Sequence, residues 1–167
     1  MSVTAGTIEI KYKILSVGLT SGICLFSAGV TSTQGNRYDL WLNTGNHMGQ
    51  IGLYDGLNWI YSARVYATGD CIRVAIIWGS SGSSLYIDGI LQSTSSSKMR
   101  QEQINSYIII GGFGSGAYGN SIVSDVRISN TAHTADKIAS DAQLGRLQVE
   151  SDTTYYLPLK EDIQPDM

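Results

Sequence analysis

Retaining hydrolysis of a glycosidic bond needs two carboxylates about 5 Å apart, and a β-strand supplies such a pair most simply from alternate residues on one face. Glu9, Glu102, Glu150 and Glu161 are scattered, and no run of three alternating acids occurs. Asp39 and Asp55 lie on neighbouring segments, outside any paired motif. His47 and His133 both fall in turn-like segments. His47 could serve as a base beside a Ser or Asp, but no G-x-S-x-G nucleophile string occurs. The spacing therefore predicts no enzyme. The His and Cys spacing of a zinc site is also missing. Oxygen donors for calcium stand at Asp39, Asn43, Asp55, Asp70 and Asp152, without a D-x-[DN]-x-[DN]-G loop to gather them.

The aromatic residues are the better functional lead. A sugar presents apolar C–H faces and hydroxyl edges, which an aromatic plate beside Asn, Asp, Gln or Arg can match. Tyr38 to Asn43 alternates so that Asp39, Trp41 and Asn43 share the face opposite Tyr38, Leu40 and Leu42. Tyr54-Asp55-Gly56-Leu57-Asn58-Trp59 gathers two aromatics, an Asp and an Asn into one turn region, followed by Tyr61, Arg64 and Tyr66. The candidate ligand-binding residues are Trp41, Asn43, Tyr54, Asp55, Asn58, Trp59 and Arg64. Strands also favour Tyr and Trp for packing, so the same residues could be core or a protein interface. Gly112 to Asn120, with Phe113 and Tyr118 among four glycines, could rim a site.

Strands must position these residues. The chain has 167 residues, enough for one domain, expected to span 1–167. It is 43% hydrophobic and only 15% charged, with 19 Gly and 2 Pro, which excludes disorder and collagen. A net charge of −3 argues against a phosphate-neutralising nucleic-acid binder. No apolar run is long enough to predict membrane insertion, and the first residues lack a signal-peptide pattern. Period two is clear in Thr7 to Leu15, with Ile8, Ile10, Tyr12 and Ile14 on one face. Further strands are expected at Ile23–Ser27, Tyr38–Asn43, Gln50–Tyr54, Trp59–Tyr66, Leu85–Ile87, Ile90–Thr94, Tyr107–Gly111 and Ile122–Ser129. Cys71–Trp78 is apolar almost throughout and should be central, buried on both faces. Asp88-Gly89 reads as a tight turn. Near Thr134 the period changes, and Thr134 to Ala142 reads as a short helix with Thr134 as N-cap. About ten strands and one helix predict an all-β sandwich or barrel. Cys24 and Cys71, inside apolar runs, read as buried free thiols.

Four strings in order resemble one family. Arg73-Val74-Ala75-Ile76-Ile77-Trp78 followed by Leu85-Tyr86-Ile87-Asp88-Gly89 is similar to the central hairpin of laminin G-like jelly rolls, "hVAVTW…G…LYVDG". Ile110-Gly111-Gly112 with Ser124-Asp125-Val126-Arg127-Ile128-Ser129-Asn130 resembles "IGG…IDEVRIYN". Gly6 to Tyr12 and Leu25 to Gly29 resemble "FTIEFW…LFS". Cys71 departs from the pattern, standing where such families usually carry a Trp, and almost nothing precedes Gly6. The tail, 151–160, could supply the missing strand. The resemblance implies a concanavalin A-like sandwich of two antiparallel sheets with a short helix near 134–142. It implies structural roles for Asp88 and Asp125, and a calcium ion at a loop end as the cofactor to look for. It also implies a non-catalytic binding module for a glycan or cell-wall polysaccharide, of the kind found in phage tails (the virion) and bacterial cell-surface proteins. The alternative is an assembly module that contacts other structural proteins or forms a homo-oligomer.

Overall fold

In the computed structural model, residues 4–17, 22–29, 37–44, 46–97, 108–112 and 121–158 are described, the side chains of 43 and 44 excepted. The strands are β1 (Gly6–Ile14), β2 (Ile23–Gly29), β3 (Arg37–Thr44), β4 (His47–Tyr54), β5 (Trp59–Tyr61), β6 (Cys71–Gly79), β7 (Gly82–Ile87), β8 (Ile90–Ser95), β9 (Ile108–Ile110), β10 (Ser121–Ser129) and β11 (Thr153–Pro158). Among the described residues one helix, α1 (Ala135–Ala142), lies between β10 and β11. Sheet A has the order β11-β10-β1-β6-β7-β8 and sheet B the order β5-β4-β3-β2-β9. Every pairing is antiparallel. This is the sandwich the alternation predicts, and the tail joins it as β11 on β10.

The core lies between the sheets. Ile8, Ile10, Tyr12 and Ile14 of β1 face Phe26, Leu40, Leu42 and Leu53 of sheet B, all buried. Burying one such side chain contributes roughly 1.5–3 kcal/mol. Tyr12 also satisfies its hydroxyl, which donates to the Leu25 carbonyl at 2.8 Å. Trp78 of β6 is fully buried beside them.

Three departures from regular, alternating strands have physical causes. Thr7 and Glu9, on the polar face of β1, are buried as deeply as the apolar residues. Their face is roofed, because the chain after β10 folds back: the Thr7 hydroxyl donates to the Thr131 carbonyl at 2.7 Å and accepts from the His133 amide at 2.9 Å. A β-bulge puts Val123 opposite Tyr12 but Asp125 opposite Lys11, so Ser124 is the extra residue and the phase of β10 slips there. The strand expected over 59–66 ends at Tyr61. The Ser62 hydroxyl accepts from the Ile51 amide at 3.0 Å and donates to the Arg64 carbonyl at 2.8 Å, which turns the chain away.

β6 is central and buried on both faces, as its composition predicts. Ala75 and Ile77 point away from the main core and pack under Ile138 of α1. Thr134 caps the helix, its hydroxyl accepting from the Lys137 amide at 3.3 Å. The Asp88-Gly89 turn lets the helix approach. Gly89 has φ +80, and a Cβ there would lie 2.9 Å from the Ala139 Cα. Asp88, also at positive φ, accepts from the Arg73 amide at 2.8 Å. Both cysteines are free; Cys24 is buried as expected, while Cys71 opens β6 and is only half-buried.

Candidate functional site

Residues paired across β2, β3, β4 and β5 fall in rows on the outward face of sheet B. One row runs Ser27, Asp39, Tyr54, Trp59; the next runs Cys24, Trp41, Gly52, Tyr61. Period two therefore collects aromatic side chains from three strands on one surface. The rings of Tyr54 and Trp59 lie 5.2 Å apart between centroids, Trp59 and Tyr61 5.9 Å, and Tyr61 and His47 3.6 Å. Trp59, Tyr61 and His47 are nearly parallel, with interplanar angles of 13° and 10°. These four residues form one continuous file along β5 and the two ends of β4.

Gly52 makes room for the file. A Cβ there would stand 2.7 Å from Cε1 of Tyr61 and 3.2 Å from Cε3 of Trp59. The two rings lean into the space that this missing side chain leaves.

Polar groups flank the rings. Arg37 stands over Tyr54 at 5.3 Å from the ring centroid, and its Nε pairs with Asp39 Oδ2 at 2.9 Å. Asp39 is fully buried and accepts from the Ser27 hydroxyl at 2.7 Å. Burial pushes its carboxyl pKa upward, against the lowering effects of Ser27, Arg37 and Trp41. Burial likewise raises the pKa of the Cys24 thiol beside it, so that thiol stays protonated. At the other end, Gln50 joins His47 to the Ser62 carbonyl.

The predicted residues separate in space. Trp41, Tyr54 and Trp59 share this face. Asn43 belongs to β3, but its side chain lies outside the described residues, as do Phe113 and Tyr118. Asp55 is fully buried, and its Oδ1 accepts from the Leu57 and Asn58 amides at 2.9 and 2.8 Å, so it builds the β4–β5 turn. Asn58 reaches across to Ser97 at 3.1 Å. Arg64 stands apart from the file, over the Tyr66 ring at 4.9 Å and paired with Asp70 at 3.4 Å. Sequence reasoning missed Arg37, His47, Gln50, Gly52 and Tyr61 as partners in the file. The signal available for Arg37 was its alternation with Asp39 and Trp41; for Tyr61 it was its alternation with Trp59.

Among the described residues, the clusters of three metal-ligand side chains are Glu9, His133 and Asp141, and His133, Glu150 and Asp152. Neither holds Asp39, Asp55 or Asp70. Cations already sit within both. The Arg127 guanidinium bonds Glu9 and Asp141, and Lys137 bonds Asp141 and Glu150. Asp152 accepts from His133 at 3.0 Å. A divalent ion would have to displace an ammonium or guanidinium, so these donor sets do not fit calcium.

Solved structures share this architecture. A candidate carbohydrate binding protein from Bacteroides ovatus matches with a TM-score of 0.69 and 15% identity, over 93% of this chain. The chain spans only 45% of that protein. The heptameric SAP-like pentraxin of Limulus polyphemus matches with a TM-score of 0.65 and 14% identity, over 96% of this chain and 81% of the pentraxin. The CBM40 of Ruminococcus gnavus IT-sialidase, bound to α2,3 sialyllactose, matches with a TM-score of 0.63 and 18% identity, over 83% of each chain. No curated protein matches the sequence. The family model of the concanavalin A-like lectin/glucanases superfamily matches residues 1–139. With the jelly-roll sandwich in place and its motif strings on β1, β2, β6, β7 and β10, the chain belongs to the concanavalin A-like lectin/glucanases superfamily.

Proposed function

We propose that this domain is a non-catalytic carbohydrate-binding module that recognises glycans of a cell surface or cell wall, as part of a phage tail or a bacterial surface protein. The ring file on the outward face of sheet B is the observation that carries this reading. Trp59, Tyr61 and His47 are each partly exposed and flanked by Arg37 and Gln50. Apolar sugar faces would meet the aromatic surface, and hydroxyls the polar flank. Asp39, the carboxylate in the rows of this face, is fully buried beside Arg37, which suits binding better than acid–base chemistry. Carbohydrate binding in structural neighbours of the same fold supports the reading by analogy.

A second reading, an assembly module, draws on a different surface. Ile90 and Leu91 at the start of edge strand β8 are 66% and 49% exposed, a place where another protein could pair or pack. Two measurements separate the readings. On an array of sialyllactose, lactose and bacterial wall polysaccharides, the carbohydrate reading expects binding that Trp59→Ala abolishes while the melting curve stays in place. No hit on the array, with a stable oligomer by light scattering, would replace it with the assembly reading.

A further inference from the structure

We propose that His47 contacts the ligand, with its Nε2 held as a hydrogen-bond acceptor for a hydroxyl group at the end of the ring file. The proposal rests on the carbohydrate reading and adds a residue and an atom to it.

The argument starts at Ser62. Its amide donates to the Ile51 carbonyl at 2.8 Å, its hydroxyl is held on both sides, and it is 1% exposed. Its own carbonyl is therefore a fixed group, and a carbonyl can only accept. The Gln50 side chain lies 2.6 Å from it through Nε2. The opposite orientation of the amide would set oxygen against oxygen, so Nε2 must face Ser62 and Oε1 must face outward. Oε1 stands 2.8 Å from Nδ1 of His47. An acceptor there requires Nδ1 to carry the proton. In the neutral imidazole the lone pair is then on Nε2, on the far side of the ring from Gln50.

The ring is also fixed in direction. Its face lies on Tyr61 at 3.6 Å with an interplanar angle of 10°. The relay from Ser62 through Gln50 to His47 thus sets a tautomer, and the stack sets an orientation. A hydroxyl-bearing ligand lying along Trp59 and Tyr61 would meet an oriented acceptor where the rings end. The class of ligand this fits is a polyhydroxylated one, a sugar with an apolar face and a donor hydroxyl at its rim.

Nitrogen NMR of the ligand-free protein should find His47 as the Nδ1–H tautomer in its neutral form; the Nε2–H tautomer would overturn the proposal. The second arm uses the strongest binder on the array above. His47→Phe keeps a ring for Tyr61 but has no nitrogen, and should lose roughly tenfold in affinity, the effect of one lost hydrogen bond, with an unchanged melting curve. If Trp59→Ala loses binding and His47→Phe binds like the parent, the carbohydrate reading stands and the role of His47 falls. If the parent protein binds nothing on the array, both fall together.

Discussion

The two outward faces of the sandwich solve opposite problems. On sheet A, β1 and β10 point Glu9, Asp125 and Arg127 outward, yet all three are buried. The chain folds back over them as α1 and residues 144–152, and supplies their partners. Arg127 bonds Glu9 and Asp141, reaches the Gln148 carbonyl at 3.0 Å and Glu150 at 3.3 Å, while Arg73 bonds the carbonyls of Asp141 and Leu144. On sheet B the rows carry aromatic rings and a single buried carboxylate, Asp39, and the file along β5 stays partly open. Ionic groups that are buried need partners, and groups already paired have less to offer a ligand. The face with the denser charge is therefore closed over by the chain, and the face with the rings is the one left open.

Arg127 should show the largest effect. Replacing it by Met removes the cation and leaves Glu9 and Asp141 without their main partner in the interior. Breaking a buried ion pair by removing one side costs about 3–5 kcal/mol. Urea denaturation of Arg127→Met is expected to show a loss of that size, with the near-ultraviolet signal of the ring file unchanged at low denaturant. A loss below about 1 kcal/mol, the range of exposed pairs, would mean that the clasp is not what holds α1 to sheet A.

Arg127 also shows what could be read in the sequence. The strings around β6, β7 and β10 revealed the fold because strand alternation and turn residues are local properties. The partners of Arg127 were not legible, since Glu9 is 118 residues away and meets it only once β1 pairs with β10. The same limit applied on sheet B. Trp41 was visible by its own alternation, and Tyr54 and Trp59 by their closeness in one turn region. His47 looked like part of a turn, because Asn46, His47, Met48 and Gly49 read as one. Gly49 at φ +75 absorbs the irregularity within β4, so His47 pairs with Thr44 and its ring reaches Tyr61. Asp55 looked like a ligand residue by type, but a buried Asp beside two unpaired amides becomes a turn cap.

A medium effect with a distinct pH signature is expected at His133. Its side chain is 5% exposed and lies between Glu9, at 3.6 Å, and Asp152, at 3.0 Å. The Glu9 carboxylate foremost, then Asp152, raises its pKa against the lowering effect of burial. A folded-state pKa above the unfolded value of about 6.5 gives stabilisation that is complete below that pH and is lost as pH rises through the folded value. Asp141 and Asp152 are shifted the other way, so their contribution is present above about pH 4 and is lost as pH falls through their folded values. The clasp is therefore strongest between the two ranges. His133→Asn should cost roughly 1.5–3 kcal/mol near pH 6, the worth of hydrogen bonds to charged groups, and clearly less near pH 9. An equal cost at both pH values would assign the loss to packing alone and remove the proton from the account.

The smallest change in stability, and the sharpest contrast between the faces, is expected at Gly52. Alanine at a strand position without positive φ gains about 0.4–1 kcal/mol by restricting the unfolded chain. Against that gain, the new methyl would sit 2.7 Å from Tyr61 Cε1, so the rings of Tyr61 and Trp59 must move. Both lie on the outward face, where a ring can swing without opening the core, so the two terms should nearly cancel. Gly52→Ala is expected to melt within a few degrees of the parent, change the near-ultraviolet dichroism of the coupled rings, and weaken binding of any ligand that Trp59→Ala abolishes. Arg127→Met should do the reverse, losing stability and keeping the ring signal. An unchanged dichroism in Gly52→Ala would show that the file does not depend on the space at Gly52. A large loss of stability would show that this face is packed as tightly as the other, which would remove the distinction between a clasped face and an open one.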